Sequence, residues 1–143
     1  MELNNKAAFL TKTGAFLTVI CMGFVCLACA TGPIVVSDNL TAAELIQRGQ
    51  EASDKNRYNV SLQYYEALIE RFPFDLDNVI AAEYEKAFIY YKQKKYSMAK
   101  TGFNDLLERY NTPDEELLPP KFKILSNIVL SKIEEAENKR KKP

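Results

Sequence analysis

The side chains best equipped for covalent chemistry are three cysteines, Cys21, Cys26 and Cys29, all in one apolar segment near the N-terminus. Histidine is absent from the chain. That removes the commonest metal ligand and the usual neutral-pH base, so no Ser-His or Cys-His nucleophile can be assembled. Carboxylates could still work in acid-base pairs. Here they alternate with Lys and Arg along periodic segments, the pattern of solvated helix faces. The residue inventory therefore predicts a protein that catalyses nothing and uses no metal and no cofactor.

Charge narrows the partners further. The 19 basic residues balance 19 acidic ones, so there is no sustained electrostatic pull toward phosphate, the closing basic run Lys139 to Lys142 reads as a solvated helix end, and nucleic acid is not expected as a partner. A length of 143 residues with 47% apolar composition suits one small globular domain behind a processed leader.

The cysteines take their meaning from that leader. Lys6 and Lys12 precede an uncharged, mostly apolar stretch from Ala15 to Ala28, the layout of a secretory signal peptide and too short for a comfortable membrane span. Two processing routes fit its end. Ala28-Cys29-Ala30 satisfies the A-x-A rule for simple cleavage, whereas Cys26-Leu27-Ala28-Cys29 resembles a bacterial lipobox, with Cys26 where a Leu is usual. The favoured reading is lipidation of Cys29, since several acyl chains on one residue give stable membrane anchoring. The alternative is a soluble periplasmic protein beginning at Thr31. Residues 1–28 are thus assigned to a signal peptide, 29–40 to a tether containing the breaker pair Gly32-Pro33, and 41–140 to the folded domain.

Within that domain the chain matches itself at an offset of 38 residues. Gly49 meets Ala87, Tyr58 meets Tyr96, Ser61 meets Ala99, and Tyr65 meets Phe103. Leu68 through Phe72 likewise meet Leu106 through Tyr110. Periods of 20 to 50 residues signal solenoids, in which each unit buries its apolar face on its neighbour. The expected fold is all-α, a short helical solenoid of two helix pairs plus a C-terminal capping helix.

Each unit reads as two helices. Thr41-Ala42-Ala43-Glu44 forms a capping box, with Leu40 stapled to Leu45, and the helix runs to about Lys55. A turn at Asn56-Arg57 leads to a second helix capped by Asn59, with a stripe of Leu62, Tyr65, Leu68, Ile69 and Phe72 that ends at Pro73. The pattern recurs as a helix from about Asn78 to Lys94, a turn at Lys95-Tyr96, and a helix from Ser97 to Tyr110. Small residues at Gly49, Ala87, Ser61 and Ala99 let paired helices approach closely. Thr112-Pro113-Asp114-Glu115 should open a short helical turn. After Pro119-Pro120, a last helix bearing Phe122, Leu125, Ile128, Val129, Ile133 and Ala136 should cap the stack with one apolar and one polar face.

With Tyr58 to Ser61 and Tyr96 to Ala99 as its aromatic and small positions, the unit resembles the tetratricopeptide repeat, whose period is 34. The lengthened form, with Glu66-Ala67-Leu68 running to Arg71-Phe72-Pro73-Phe74 and then Tyr90-Tyr91-Lys92, resembles the BamD family of outer-membrane lipoproteins. The resemblance covers about residues 41 to 111. It implies a lipid-anchored protein on the periplasmic face of the outer membrane, partnered by a component of the machinery that folds β-barrels or by unfolded outer-membrane proteins. Members of that family carry more repeats than the two present here, so contacts made through their later repeats do not transfer. Glu83 and Lys86 stand where such a helix is usually apolar, which predicts a rotated or irregular second repeat. Rival functions are a periplasmic adaptor for cell-wall or division machinery and a helper enclosing a small apolar solute.

In stacks of this kind the first helices line a groove. Tyr84, Phe88 and Tyr91 share one face of the second unit's first helix, and Ile46, Gln50 and Asp54 are their counterparts in the first unit. Rigid rings suit peptide capture. Stripes at this spacing also form cores, so both roles are open for the three aromatics. Two units and a cap lie near the lower limit for a stable stack, which predicts residence in a complex that supplies the missing stabilisation. Mass spectrometry of the membrane-fraction protein tests the leader: the expected N-terminus is acylated Cys29, and an unmodified Thr31 would rule the anchor out.

Overall fold

A computed structural model describes residues 32–141 of the chain. The signal peptide, the three cysteines and the lipidation site Cys29 lie outside the described residues. Among these, five α-helices and one short 3-10 turn are present and no strand: α1 (Ala42–Asp54), α2 (Tyr58–Arg71), α3 (Leu76–Lys92), α4 (Tyr96–Arg109) and α5 (Pro120–Lys141), with the 3-10 turn at Glu115–Leu117. α1 pairs with α2 and α3 with α4; α3 also packs on α1 and α2, and α5 on α3 and α4. The fold is a small all-α stack of two helix pairs closed by one helix.

The period of 38 is a backbone repeat. Asn56 and Lys94 both adopt left-handed conformations, φ 56° and 59°. Around them the same bonds recur: Asn56 N–H donates to the Ser53 carbonyl (2.9 Å) and Arg57 N–H to Ala52 (2.8 Å), as Lys94 does to Tyr91 (2.9 Å) and Lys95 to Tyr90 (2.9 Å). These paired bonds satisfy carbonyls that the end of a helix leaves open, the work usually given to a glycine in this position. The next helix starts at Tyr58 or Tyr96, each entered through a residue of matching backbone, Arg57 or Lys95. Asn59 is therefore not the cap expected from sequence. It lies inside α2, where its carbonyl accepts from Gln63 Nε2, because the left-handed turn places the N-cap at Arg57, ahead of Asn59, and the helix already begins at Tyr58.

Thr41 forms the expected capping box. Its Oγ1 accepts from Glu44 N–H (3.3 Å), while the Glu44 carboxylate accepts from Thr41 N–H (2.9 Å). These bonds hold the Glu44 carboxyl below its ordinary range, with the Thr41 backbone contact the largest cause. Leu40 and Leu45 are both buried in the core beneath this end.

The segment before Thr41 is held against the first pair. Ile34 N–H donates to Gln63 Oε1 (2.8 Å), and the Arg71 guanidinium donates to the carbonyls of Ser37 (2.8 Å) and Val36 (3.1 Å).

Helix pairing rests on close approach. A Cβ on Gly49 would lie 2.4 Å from Tyr65 Cε1, so the ring of α2 occupies the space that any side chain on α1 would need. Ser61 Oγ donates to the Gly49 carbonyl at 2.6 Å, a buried bond between the two helices. In the second pair Ala87 replaces Gly49, and the relief comes from α4: a Cβ on Gly102 would stand 3.0 Å from Ala87 Cβ. Tyr65, Phe103, Leu68 and Leu106 are all fully buried at repeat-related positions.

Two expectations need correction. Glu83 and Lys86 do not make the second repeat irregular; each finds a charge on a second helix, Glu83 with Arg109 of α4 (2.6 Å) and Lys86 with Glu66 of α2 (3.4 Å). Burial still pushes the Glu83 carboxyl up, and Arg109 partly offsets it. The closing helix buries Phe122, Ser126, Val129 and Ile133, whereas Leu125 and Ile128 are exposed along with Ile124. Its buried stripe thus follows one side of the apolar set, and it does not present a fully polar outer face.

Replacing Gly49 with Ala forces Tyr65 to move and should lower unfolding stability by about 1 to 3 kcal/mol, read by chemical denaturation. The Tyr65 hydroxyl is buried without a hydrogen-bond partner among the described residues. Tyr65→Phe, which installs the ring already used at Phe103, should therefore leave stability unchanged or raise it by up to about 2 kcal/mol.

Candidate functional site

The first helices of the units, together with α5, enclose an open groove of about 600 Å³. Ile46 and Gln50 contribute from α1, and Asp77, Asn78, Ala81, Tyr84 and Glu85 from α3. The far wall is Pro119, Lys121, Phe122 and Leu125. α3 supplies the floor because residues 77, 81 and 85 step by four, one stripe of an α-helix. The wall at Pro119 is fixed from below by Tyr110, whose hydroxyl donates to the Pro119 carbonyl at 2.7 Å. That bond ties the end of α4 to the start of α5, which sets the width of the groove.

Of the six groove residues expected from sequence, Ile46, Gln50 and Tyr84 come together here. Asp54, Phe88 and Tyr91 do not line it. The three aromatics form a ladder along α3: Tyr84 stacks on Phe88 (centroids 5.7 Å, planes 15° apart) and Phe88 on Tyr91 (5.6 Å, 27°). Tyr84 is at once core and groove. It is only 8% exposed, wedged between Phe103 of α4 (5.5 Å) and Phe122 of α5 (5.3 Å), while part of it reaches the groove. Phe88 and Tyr91 are half-buried against the same core. Lys92 then anchors the end of the ladder, donating to Ser53 Oγ of α1 (2.7 Å) and standing 5.5 Å from the Phe88 ring and 5.8 Å from the Tyr58 ring.

Two of the three charged residues lining the groove are acidic, Asp77 and Glu85. Burial pushes the Glu85 carboxyl up from its ordinary value of 4.5, Lys92 pulls it back in part, and the charge of Asp54 pushes it further. Tyr84 is likewise raised, first by burial and then by Glu85. Lys121 is the one base among the groove-lining residues, and its ammonium stands 4.7 Å from the Phe122 ring. A half-buried carboxylate beside an apolar floor can receive a cationic group whose stem lies on the rings. Glu85 and Asp77 were not singled out from sequence. Their signal was the 77-81-85 stripe, masked by the adjacent aromatic stripe that reads as the more obvious binding face.

No family model and no solved structure matches the chain. It is similar to an uncharacterized protein of Treponema pallidum (strain Nichols), with 34% identity over 108 residues, which cover 74% of this chain and 43% of that protein. The chain thus spans less than half the length of this relative.

The disfavoured charge on Glu85 has a definite pH signature. A carboxyl raised in the folded state weakens the fold where it must ionise and ceases to do so below its ordinary value. Glu85→Gln should therefore raise the melting temperature at pH 7, with the difference shrinking as the pH falls toward 4.5. Tyr84→Ala removes a ring wedged between two others and should cost about 3 to 5 kcal/mol, comparable to other large core truncations, whereas Tyr91→Ala should cost clearly less; parallel urea titrations compare the two.

Proposed function

We propose that this chain is a binding scaffold, with no catalytic role, that receives a segment of a partner protein in the groove between α1, α3 and α5. The observation that carries this reading is a half-buried, unfavourably placed carboxylate, Glu85, in a groove whose apolar lining includes Ile46, Tyr84 and Phe122. A fold that keeps such a group ionised at neutral pH loses stability by it, and a cationic partner would recover that loss on binding. The fitting ligand is an extended or helical segment with an apolar residue for the floor and a Lys or Arg for Glu85 and Asp77.

The proposed setting is the bacterial envelope, with the domain tied by a lipid on Cys29 to the periplasmic face of the outer membrane. The leader supports that placement, and the likeness of residues 41–111 to BamD proteins supports a partner in the machinery that assembles outer-membrane β-barrels. Among the described residues no helix is long and apolar enough to cross a membrane, so in this proposal the lipid provides the attachment.

A photo-crosslinking residue in place of Gln50, exposed at the groove rim, tests the reading in intact envelopes. The expected product is a discrete adduct with one envelope protein, identified by mass spectrometry as a barrel-assembly component. Glu85→Gln should reduce its yield and weaken binding of the identified segment by about tenfold, as loss of a charge-assisted hydrogen bond does. Binding should also weaken as the pH falls through the Glu85 range. Crosslinking unaffected by Glu85→Gln, or absent from the groove, would exclude it as the docking site.

A further inference from the structure

α5 repeats the placement of α3 with a shift of 40 residues. α3 turns Ala82 and Ile89 toward the first pair, and α5 turns Phe122 and Val129 toward the second. Under that shift Tyr84 and Phe88 correspond to Ile124 and Ile128. On α3 these positions include the ring that carries the stack onward, since Tyr84 meets Phe122 of α5 at 5.3 Å. On α5 they face water: Ile124 is 61% exposed and Ile128 45%, with Leu125 beside them at 38%. The closing helix therefore carries the apolar face by which one such helix receives another.

The charges around this face point to its occupant. Lys121 lies seven residues before Ile128 and Glu135 seven after it, close to two turns each way, so all three share one stripe. Neither charge is in an ion pair among the described residues. A second α5 laid antiparallel, with the two-fold axis at Ile128, puts Ile128 against its own copy and Lys121 against Glu135 of the second copy, twice over. Ile124 then faces the aliphatic stem of Lys132, and Leu125 faces Ser131. An isologous interface requires a face that is its own complement, and this stripe meets that requirement in both apolar and charged residues. We infer that the chain forms a two-fold dimer through α5, with Ile124 and Ile128 at its centre and two Lys121–Glu135 pairs at its edges. Lys121 and Leu125 also border the groove, whereas Ile124 and Ile128 lie outside it, so substitution of the two isoleucines tests the dimer without touching the groove lining.

Sedimentation equilibrium of the full chain in detergent, over a wide concentration range, is the experiment. The expected result is a monomer–dimer equilibrium that collapses to monomer in the Ile124→Glu/Ile128→Glu variant, with helical circular dichroism unchanged because both positions are exposed. Lys121→Glu should weaken association by up to about tenfold through loss of two exposed ion pairs, and adding Glu135→Lys should restore it. A chain that is monomeric throughout overturns the inference. So does a dimer that survives the double glutamate variant, or a charge reversal that the second substitution fails to rescue.

Discussion

Everything in this domain depends on two helices approaching closely enough to share a core. At Gly49 the ring of Tyr65 takes the place of a side chain, and the Ser61 hydroxyl satisfies a backbone carbonyl within that contact. The second pair solves the same problem with a different division of labour, since Ala87 keeps its methyl and Gly102 gives way. A close approach of this kind exposes the interface to small volume changes, because packed interiors have little room to absorb even one methylene.

Charge completes what packing begins. Glu83 and Lys86 lie on the same helix, α3, yet pair in opposite directions, one with α4 and the other with α2. Such pairs contribute modestly, being partly exposed to water. Their larger effect is on register: α3 must present both charges to both second helices at once, which fixes its rotation. Lys92 adds a third tie, from α3 back to α1. With α3 so fixed, Tyr84 is held between Phe103 and Phe122, and its neighbour Glu85 is carried into the groove, where burial disfavours its charge.

The closing helix shows how one element can face three ways. Phe122 and Val129 fill the core, Lys121 and Leu125 border the groove, and Ile124 and Ile128 face outward. These faces differ by fractions of a turn, so they share residues at their edges while separating at their centres. Lys121 and Leu125 thus belong to both the groove wall and the proposed dimer face, whereas Ile124 and Ile128 belong to the dimer face alone.

The sequence by itself determined the helix count, the period and the paired architecture, because these follow from local rules: the capping box at Thr41, the stop at Pro73, and small and aromatic residues recurring 38 apart. Of the two left-handed turns, Asn56 carries a sequence signal, because Asn tolerates that conformation better than most non-glycine residues, whereas Lys94 carries none and its conformation is imposed by the bonds that close the helix end. Nor could the sequence separate the two stripes of α3. Tyr84, Phe88 and Tyr91 look like a binding face in one dimension, but α4 and α5 cover most of that face, and the groove opens on Asp77, Ala81 and Glu85 one residue round the helix. Tertiary structure decided this, and also which of the apolar residues of α5 are buried, because rotation of a helix about its axis is set by the charges and side chains of its neighbours and by nothing in the helix alone.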